Sequence, residues 1–313
     1  MPPENYIPNA ARPEPVEVTV PSECGGLRLD QALSRMLPAY SRSRLARWIR
    51  ENKVRVDGHE AAPRHKVWGG ERITVNPAAD PSANAYESQS IPLDIVYEDD
   101  TLLVVDKPAG MVVHPGSGNW RGTLLNALLA HAPALQSIPR AGIVHRLDKD
   151  TSGLLVVAKT LEAQAELVRQ MQARSVRREY LAVAHGRVAR GGSIDAPIGR
   201  HPVKRTRMAV VARGRHAVTH YEVIERYARA TLLRCRLETG RTHQIRVHLS
   251  MLGHPLLGDQ TYGKRGSAAA FPRQALHARK LALVHPRSRV KLAWESPLPP
   301  DMERLLEALR ARG

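Results

Sequence analysis

Apolar residues recur at helical spacing at Leu29, Leu33, Met36 and Leu37, which predicts a first helix. Pro38-Ala39-Tyr40 breaks it, and Ser41 is placed to cap a second helix. That helix turns Leu45, Trp48 and Ile49 inward and Arg42, Arg44, Arg47 and Arg50 outward. Val54-Arg55-Val56 and Ile73-Thr74-Val75 read as short strands around the turn signal Asp57-Gly58. Residues 18–78 thus form a small α/β module. Pro2, Pro3, Pro8, Pro13 and Pro15 predict a loose tail over residues 1–17, because proline lacks a backbone donor and is excluded from helix interiors. Residues 79–90, rich in Asn, Pro, Ala and Ser without a period, read as a linker.

A larger unit, residues 91–313, follows. Ile95-Val96-Tyr97 and Leu102–Val105 predict a hairpin across an acidic turn. Gly116, Gly118 and Gly122 lie in a loop ahead of a helical stretch at Leu124–His131. Leu154–Ala158 is an unbroken apolar strand, and Glu162–Ala173 reads as a helix. Further strand-like runs are Glu179–Ala184, Ala217–Glu225, Ala230–Leu237, Leu281–His285 and Val290–Ala293, and Met302–Ala311 closes as a helix. Many short strands with few helices between them predict an α+β fold: a mixed, mostly antiparallel central sheet with flanking helices.

Composition narrows the function. The chain has 313 residues, 47 Lys plus Arg against 30 Asp plus Glu, and a formal net charge of +17. A chain this basic points to a polyanionic partner, nucleic acid being the commonest. The length suits two domains, and 42% hydrophobic residues suffice for a buried core. Two cysteines, Cys24 and Cys235, make no disulfide framework and fit a reducing compartment. No apolar run reaches the roughly 20 residues of a membrane span, and the N-terminus has no secretory pattern, so a cytoplasmic protein is expected.

Two strings carry the candidate chemistry. The first is His145-Arg146-Leu147-Asp148-Lys149-Asp150-Thr151-Ser152-Gly153, a charged loop set against the apolar strand. A carboxylate between Arg146 and Lys149 stays ionised, ready to act as nucleophile or charge stabiliser. The plainer reading is a surface turn with ordinary salt bridges. The second is Thr239–His248. If it is helical after Gly240, Arg246 faces away from Gln244, Val247 and His248 and is free to form a bidentate pair with Asp148. His243 and His248 are five apart without an intervening Glu, so no metal site is expected.

Between the strings, residues 169–215 hold 12 Lys plus Arg against 2 acids. Such a stretch suits phosphate contacts. Tyr180 within it is either a base-stacking residue or part of a core strand. The Gly116–Gly122 loop lacks the P-loop ending and the dinucleotide spacing, so no nucleotide cofactor is expected. No Gly-x-Ser-x-Gly or Cys-x-x-Cys occurs.

The string at His145–Gly153 resembles a defining motif of the A-type family of ribosomal large-subunit pseudouridine synthases. Asp106–Pro115 resembles the family's upstream segment, Arg178-Glu179-Tyr180 its tyrosine motif, Thr239–His248 its late arginine motif, and Gln274–Ala278 with His285-Pro286 its closing one. These stand in family order across residues 91–300, and Leu27–Val75 resembles an S4 RNA-binding module. Pro139–Val144 and His201–Thr206 look most like the subgroup that joins the two. The resemblance implies isomerisation of uridine to pseudouridine in RNA without any cofactor. It implies Asp148 as the essential aspartate, attacking C1′ or taking the C2′ proton, and Tyr180 packed on the target base and handling the C5 proton. It further implies Arg246 paired with Asp148, Arg146 filling the gap left by a flipped nucleotide, and Leu276 lining the uracil pocket. Arg42, Arg44, Arg47, Arg50, Lys204, Arg205, Arg241 and His243 are the expected RNA contacts. The expected partner of this monomer is 23S ribosomal RNA or an assembling large subunit, at the helix 69 hairpin. The alternatives are another 23S site, a non-catalytic ribosome-assembly factor, and an N-glycosidase, the last disfavoured because no second carboxylate stands out. The segment Lys264–Arg273 is shorter than the subgroup leads one to expect.

Overall fold

In the smaller unit, the Ser41 hydroxyl accepts the Arg44 N–H at 3.3 Å and starts the second helix where the sequence places it. The computed structural model describes residues 15–77, 86–116, 118–263 and 271–312. Most of the expected tail and linker, and residues 264–270, lie outside the described residues. The chain divides into two compact units, Met1–Ala83 and Asn84–Gly313. Among the described residues no helix is long and apolar enough to cross a membrane.

The smaller unit contains β1 (Val16–Thr19), α1 (Leu29–Met36), α2 (Arg42–Arg50), β2 (Val54–Val56), β3 (His59–Glu60) and β4 (Arg72–Val75). Its strands form an antiparallel sheet in the order β1-β4-β2-β3. The end of the expected tail is corrected here: Val16 and Glu17 pair with Val75 and Thr74. Proline content masked a short alternating strand whose partner lies more than fifty residues on. Asp57 and Gly58 both take positive φ (48° and 80°), the geometry of a tight hairpin turn, and link β2 to β3. Leu29, Leu33, Leu45, Trp48 and Ile73 are fully buried between helices and sheet.

The larger unit begins with β5 (Asp94–Glu98), β6 (Leu102–Lys107), α3 (Leu124–His131), β7 (Ser152–Ala158) and α4 (Leu161–Gln172). Then come β8 (Arg177–His185), β9 (Gly192–Asp195), β10 (Ile198–Arg200), β11 (Met208–Val210), β12 (Val218–Arg226) and β13 (Ala230–Leu237). It closes with α5 (Gln244–Met251), β14 (Leu276–Val284), β15 (Lys291–Glu295) and α6 (Pro300–Arg310). Nine strands make one sheet in the order β5-β6-β7-β14-β8-β13-β12-β9, with β15 beside β14. Its described pairings are antiparallel except β7 with β14. The mixed, mostly antiparallel sheet is the α+β architecture expected from the strand pattern.

The parallel junction positions the candidate loop. Strand β7 is buried at every residue, as an unbroken apolar run requires when both faces are covered. Gly153 at its start has φ +113°, and a Cβ there would stand 2.3 Å from the Ala278 carbonyl oxygen. The two backbones thus meet more closely than any side chain permits, and the loop before β7 enters the sheet beside β14. Strands β10 and β11 form a separate two-stranded ribbon. The periodicity reading did not find β9, β10 or β11, whose three or four residues carry no alternation of the kind seen at Val54-Arg55-Val56.

Candidate active site

The loop from His145 to Thr151 is held at four anchors. His145 Nε2 accepts the backbone N–H of Val156 at 3.1 Å. The Lys149 carbonyl accepts from Gly110 N at 2.9 Å and from Lys107 Nζ at 3.0 Å. The Asp150 carbonyl accepts from Arg273 Nη1 at 3.0 Å, and Thr151 Oγ1 accepts from Gln274 Nε2 at 3.2 Å. Lys107 is 1% exposed and also donates to the Pro108 and Met111 carbonyls. Burial lowers its pKa to about 7 against the opposing pull of Asp150 and Asp148. Arg273 is itself fixed by a two-bond pair with Asp301, at 2.7 and 3.0 Å.

This loop presents Asp148 to Arg246. Arg246 Nη1 donates to Asp148 Oδ2 at 2.9 Å. The expected bidentate pair is not between these two. Arg246 spends its Nε and Nη2 on Asp259, at 2.7 and 2.9 Å, and reaches Asp148 through one nitrogen. The Asp259 side chain is fully buried, and its Oδ1 also accepts from Thr261 N and Tyr262 N. Burial alone would raise the Asp259 carboxyl; the Arg246 bonds and charge, with the two N–H donors, hold it low. Burial likewise opposes the Arg246 charge, but Asp259 and Asp148 more than offset it and push its pKa up. The guanidinium therefore stays charged and locked in direction.

Helix α5 explains how Arg246 is isolated. Gln244 points into the sheet and donates to Val218 O and Thr219 Oγ1, at 2.9 and 3.0 Å. His248 is fully buried between Thr219 Oγ1 and Ala196 O. Arg246, on another side of the helix, faces the loop. His243 precedes the helix in the left-handed region, φ 58°. Its Nδ1 stands 2.8 Å from the Tyr262 hydroxyl and its Nε2 3.8 Å from Asp148 Oδ1. Burial lowers the His243 pKa, with Arg246 adding to the effect and Asp148 opposing it. The neutral imidazole is therefore the resting form. Tyr262 also accepts the Met208 N–H at 2.9 Å and lies under the Arg246 guanidinium, 5.1 Å from its ring centre.

Arg146, Asp148, His243, Arg246 and Gln274 line one cavity of about 320 Å³. That is the low end of the roughly 300–1,000 Å³ of ligand pockets. Arg146 is exposed at its edge. Tyr180 and Leu276 do not line this cavity; they are 6% and 4% exposed and pack in the core with Leu147 and Ile245. Burial raises the Tyr180 phenol, helped by Asp148 and opposed by Arg178. Tyr180 is thus a core residue of strand β8, the plainer of the two readings of the sequence.

The expected RNA contacts separate into groups. Lys204 and Arg205 are exposed on the turn between β10 and β11. Arg241 is half-buried and donates Nε–H to His216 O at 3.0 Å. In the smaller unit Arg42 holds buried Asp30 and Arg44 packs over the Tyr40 and Trp48 rings, while Arg50 is exposed. Sequence reasoning missed Lys107 as an anchor, Asp259 and Tyr262. Lys107 lies inside a quoted motif, but nothing local reveals that it is buried. Asp259 and Tyr262 fall in a polar segment, Gly258–Gly263, with no periodic signal.

A family model described as RNA pseudouridylate synthase matches residues 101–251, and one described as S4 domain matches residues 27–73. The chain is 58% identical over 302 residues to a Nitrosomonas europaea protein named ribosomal large subunit pseudouridine synthase D, covering 94% of this chain and 88% of that one. Proteins of the same name from Pseudomonas aeruginosa and Escherichia coli are 54% and 52% identical, over 93% and 91% of this chain and 94% and 91% of theirs. Among solved structures, human RNA pseudouridylate synthase domain containing 1 matches with TM-score 0.56 at 28% identity, over 72% of this chain and 97% of that one. Human RNA pseudouridylate synthase domain containing 4 matches with TM-score 0.55 at 27% identity, over 69% and 93%. With its motifs in order and its identity to the three bacterial relatives above one half, the chain belongs to the RNA pseudouridylate synthase family and is an RNA pseudouridine synthase with an S4 domain.

Proposed function

We propose that this enzyme converts uridines of 23S ribosomal RNA to pseudouridine, at the helix 69 hairpin, with Asp148 as the essential carboxylate. The names of the relatives support the large-subunit target. The single observation that carries the chemical reading is the Asp148–Arg246 bond at 2.9 Å beside a cavity. Arg246 occupies Oδ2, and Oδ1 receives no hydrogen bond among the described residues. That oxygen is the one left to react.

A uridine stacked in RNA hides its sugar carbon, so the nucleotide must be extruded at a cost of a few kcal/mol. Arg146, exposed at the cavity edge, takes up the vacated space. Asp148 then either attacks C1′ or removes the C2′ proton; in both routes the N1–C1′ bond breaks and the uracil carries the electron pair. After rotation, C5 bonds to C1′ as the Asp148–C1′ bond breaks or, in the other route, as Asp148 returns the proton to C2′; the C5 proton then leaves and N1 gains one, so the reaction is balanced without a redox partner. Tyr180, in the core and outside the cavity lining, comes against the base as the nucleotide enters and, held protonated by its burial, takes part in the C5 proton transfer as a hydrogen-bonding partner. Lys204, Arg205 and Arg241 supply phosphate contacts, and Leu276 closes the base site from the core side. The enzyme works as a cytoplasmic monomer on precursor or assembling particles.

The test is pseudouridine mapping in ribosomal RNA from cells lacking the protein. Loss at the helix 69 uridines is expected, and unchanged levels there defeat the target. Asp148→Asn should abolish tritium release from C5-labelled uridine while RNA affinity stays near that of the parent. A large loss of affinity would make Asp148 structural instead.

A further inference from the structure

Among the described residues of the smaller unit, Trp68 is the most exposed large hydrophobic, at 68%. The unit's other tryptophan, Trp48, is fully buried, and Tyr40 packs edge-on against it at 4.9 Å. Ordinary burial therefore gives no reason for the Trp68 indole to face water.

The turn that carries it is rigid. Val67, inward and fully buried, donates to Leu27 O at 3.0 Å and accepts from Gly26 N at 2.7 Å. Gly70 N donates to Val20 O at 2.7 Å. Between these ties, the Glu71 carboxylate accepts the N–H of Trp68 at 2.6 Å and of Gly69 at 2.7 Å. Gly69 and Gly70 take φ of +111° and +92°, and a Cβ at Gly69 would press on Ser22 Cα at 3.1 Å. The backbone is thus fixed on both sides of an indole that is itself free.

Cations stand close to it. Lys66 Nζ lies 6.0 Å from the ring centre and Arg64 is exposed nearby in sequence, while the Glu71 carboxylate is spent on the backbone of the turn. Residues 27–75 hold 11 Lys plus Arg against 5 acids. A flat apolar ring beside positive charge suits a partner with exposed π-faces on an anionic backbone, which is single-stranded nucleic acid. A rigid presenting turn lowers the entropy lost on contact.

We propose that Trp68 is a stacking platform for an unpaired base of the RNA that the S4 unit meets. This rests on the reading that ribosomal RNA is the substrate. The phosphates flanking that base fall to Lys66 and Arg64. Contact of this kind adds affinity without reading sequence, because every base has a face to stack.

The experiment uses the full-length protein and a 23S ribosomal RNA transcript. The emission lost in Trp68→Phe is that of Trp68 itself, and it should be quenched in the parent as RNA is added. Trp68→Ala should weaken binding by about tenfold or more, and Trp68→Phe by about threefold at most. The slope of affinity against salt should not change in either, since no phosphate contact is removed. Arg47→Glu with Arg50→Glu serves as the separate arm and should flatten that slope. Unquenched Trp68 emission, or Trp68→Ala binding within about twofold of the parent, overturns the stacking role. If the arginine pair also leaves binding and slope unaltered, the view that this unit meets RNA falls with it. Should Trp68→Ala fail to fold, the quenching of the parent against Trp68→Phe decides alone.

Discussion

Asp259 holds Arg246 by two hydrogen bonds, at 2.7 and 2.9 Å, and so leaves one guanidinium nitrogen to reach Asp148. The direction of the Asp148 partner is set one residue further back than the ion pair itself. Asp259→Asn keeps the volume but loses the charge and one good acceptor. We expect kcat to fall by about ten- to a hundredfold with RNA affinity retained, since small misplacement of a reacting group is costly. Asp259→Ala strands a buried guanidinium and should cost about 3–5 kcal/mol of stability, read as a lowered Tm. Wild-type kcat in Asp259→Asn would show that Arg246 needs no orientation.

Tyr262 joins the β10–β11 ribbon to the carboxylate, accepting from Met208 N and meeting His243, whose other nitrogen faces Asp148. Tyr262→Phe keeps the ring under Arg246 and removes the hydroxyl. We expect kcat to drop while KM for RNA moves little. A change in KM alone would place Tyr262 in binding rather than in alignment.

His243 also predicts the acid side of the pH profile. Its pKa is lowered, chiefly by burial, so it stays neutral through its ordinary value of 6.5 and gains a proton only below it. A protonated His243 would pair with Asp148 Oδ1 and withdraw it from reaction. Any acid limb in kcat that belongs to His243 therefore lies below pH 6.5, and His243→Asn shifts or removes it. A limb centred above pH 6.5 that vanishes in His243→Asn contradicts this direction.

Lys107 gives a stability test with a defined sign. Burial lowers its pKa from 10.5 to about 7. Across that window the unfolded chain binds more protons, so this group makes the folded state gain with rising pH. Lys107→Met removes that gain and leaves the Pro108, Met111 and Lys149 carbonyls without their donor. We expect the variant to be less stable at pH 7, by about 3 kcal/mol. The gap to the parent should widen at pH 8 and 9, by at most about 1.4 kcal/mol per unit. A gap constant in pH would mean that the ammonium keeps its charge throughout.

Gly153→Ala should break the entry of the loop into the sheet. The added methyl would overlap the Ala278 carbonyl, and φ of +113° is foreign to alanine. Soluble, fully active Gly153→Ala would show that the junction yields.

Local pattern carried much of this protein. Helices α1 to α4 and α6 follow from apolar spacing and breakers, α5 is only a condition of the Thr239–His248 reading, and Ser41 and Asp57-Gly58 act where residue chemistry places them, because capping and turn preferences depend on neighbours a few positions away. Asp148, Arg146 and Arg246 are named from ordered motifs, and the fold brings these three to one cavity. What no local pattern holds is which distant group satisfies which. Arg246 lies 98 residues from Asp148, and spacing alone suggested two bonds between them; the fold spends those two bonds on Asp259. Lys107 reads as an ordinary surface lysine until three carbonyl oxygens from two loops close around it. Trp68 is not singled out in the sequence, and only its turn, clamped by Glu71, shows it outward. Burial and hydrogen-bond partnership arise when strands far apart in sequence pair, so those features were decided by the tertiary structure.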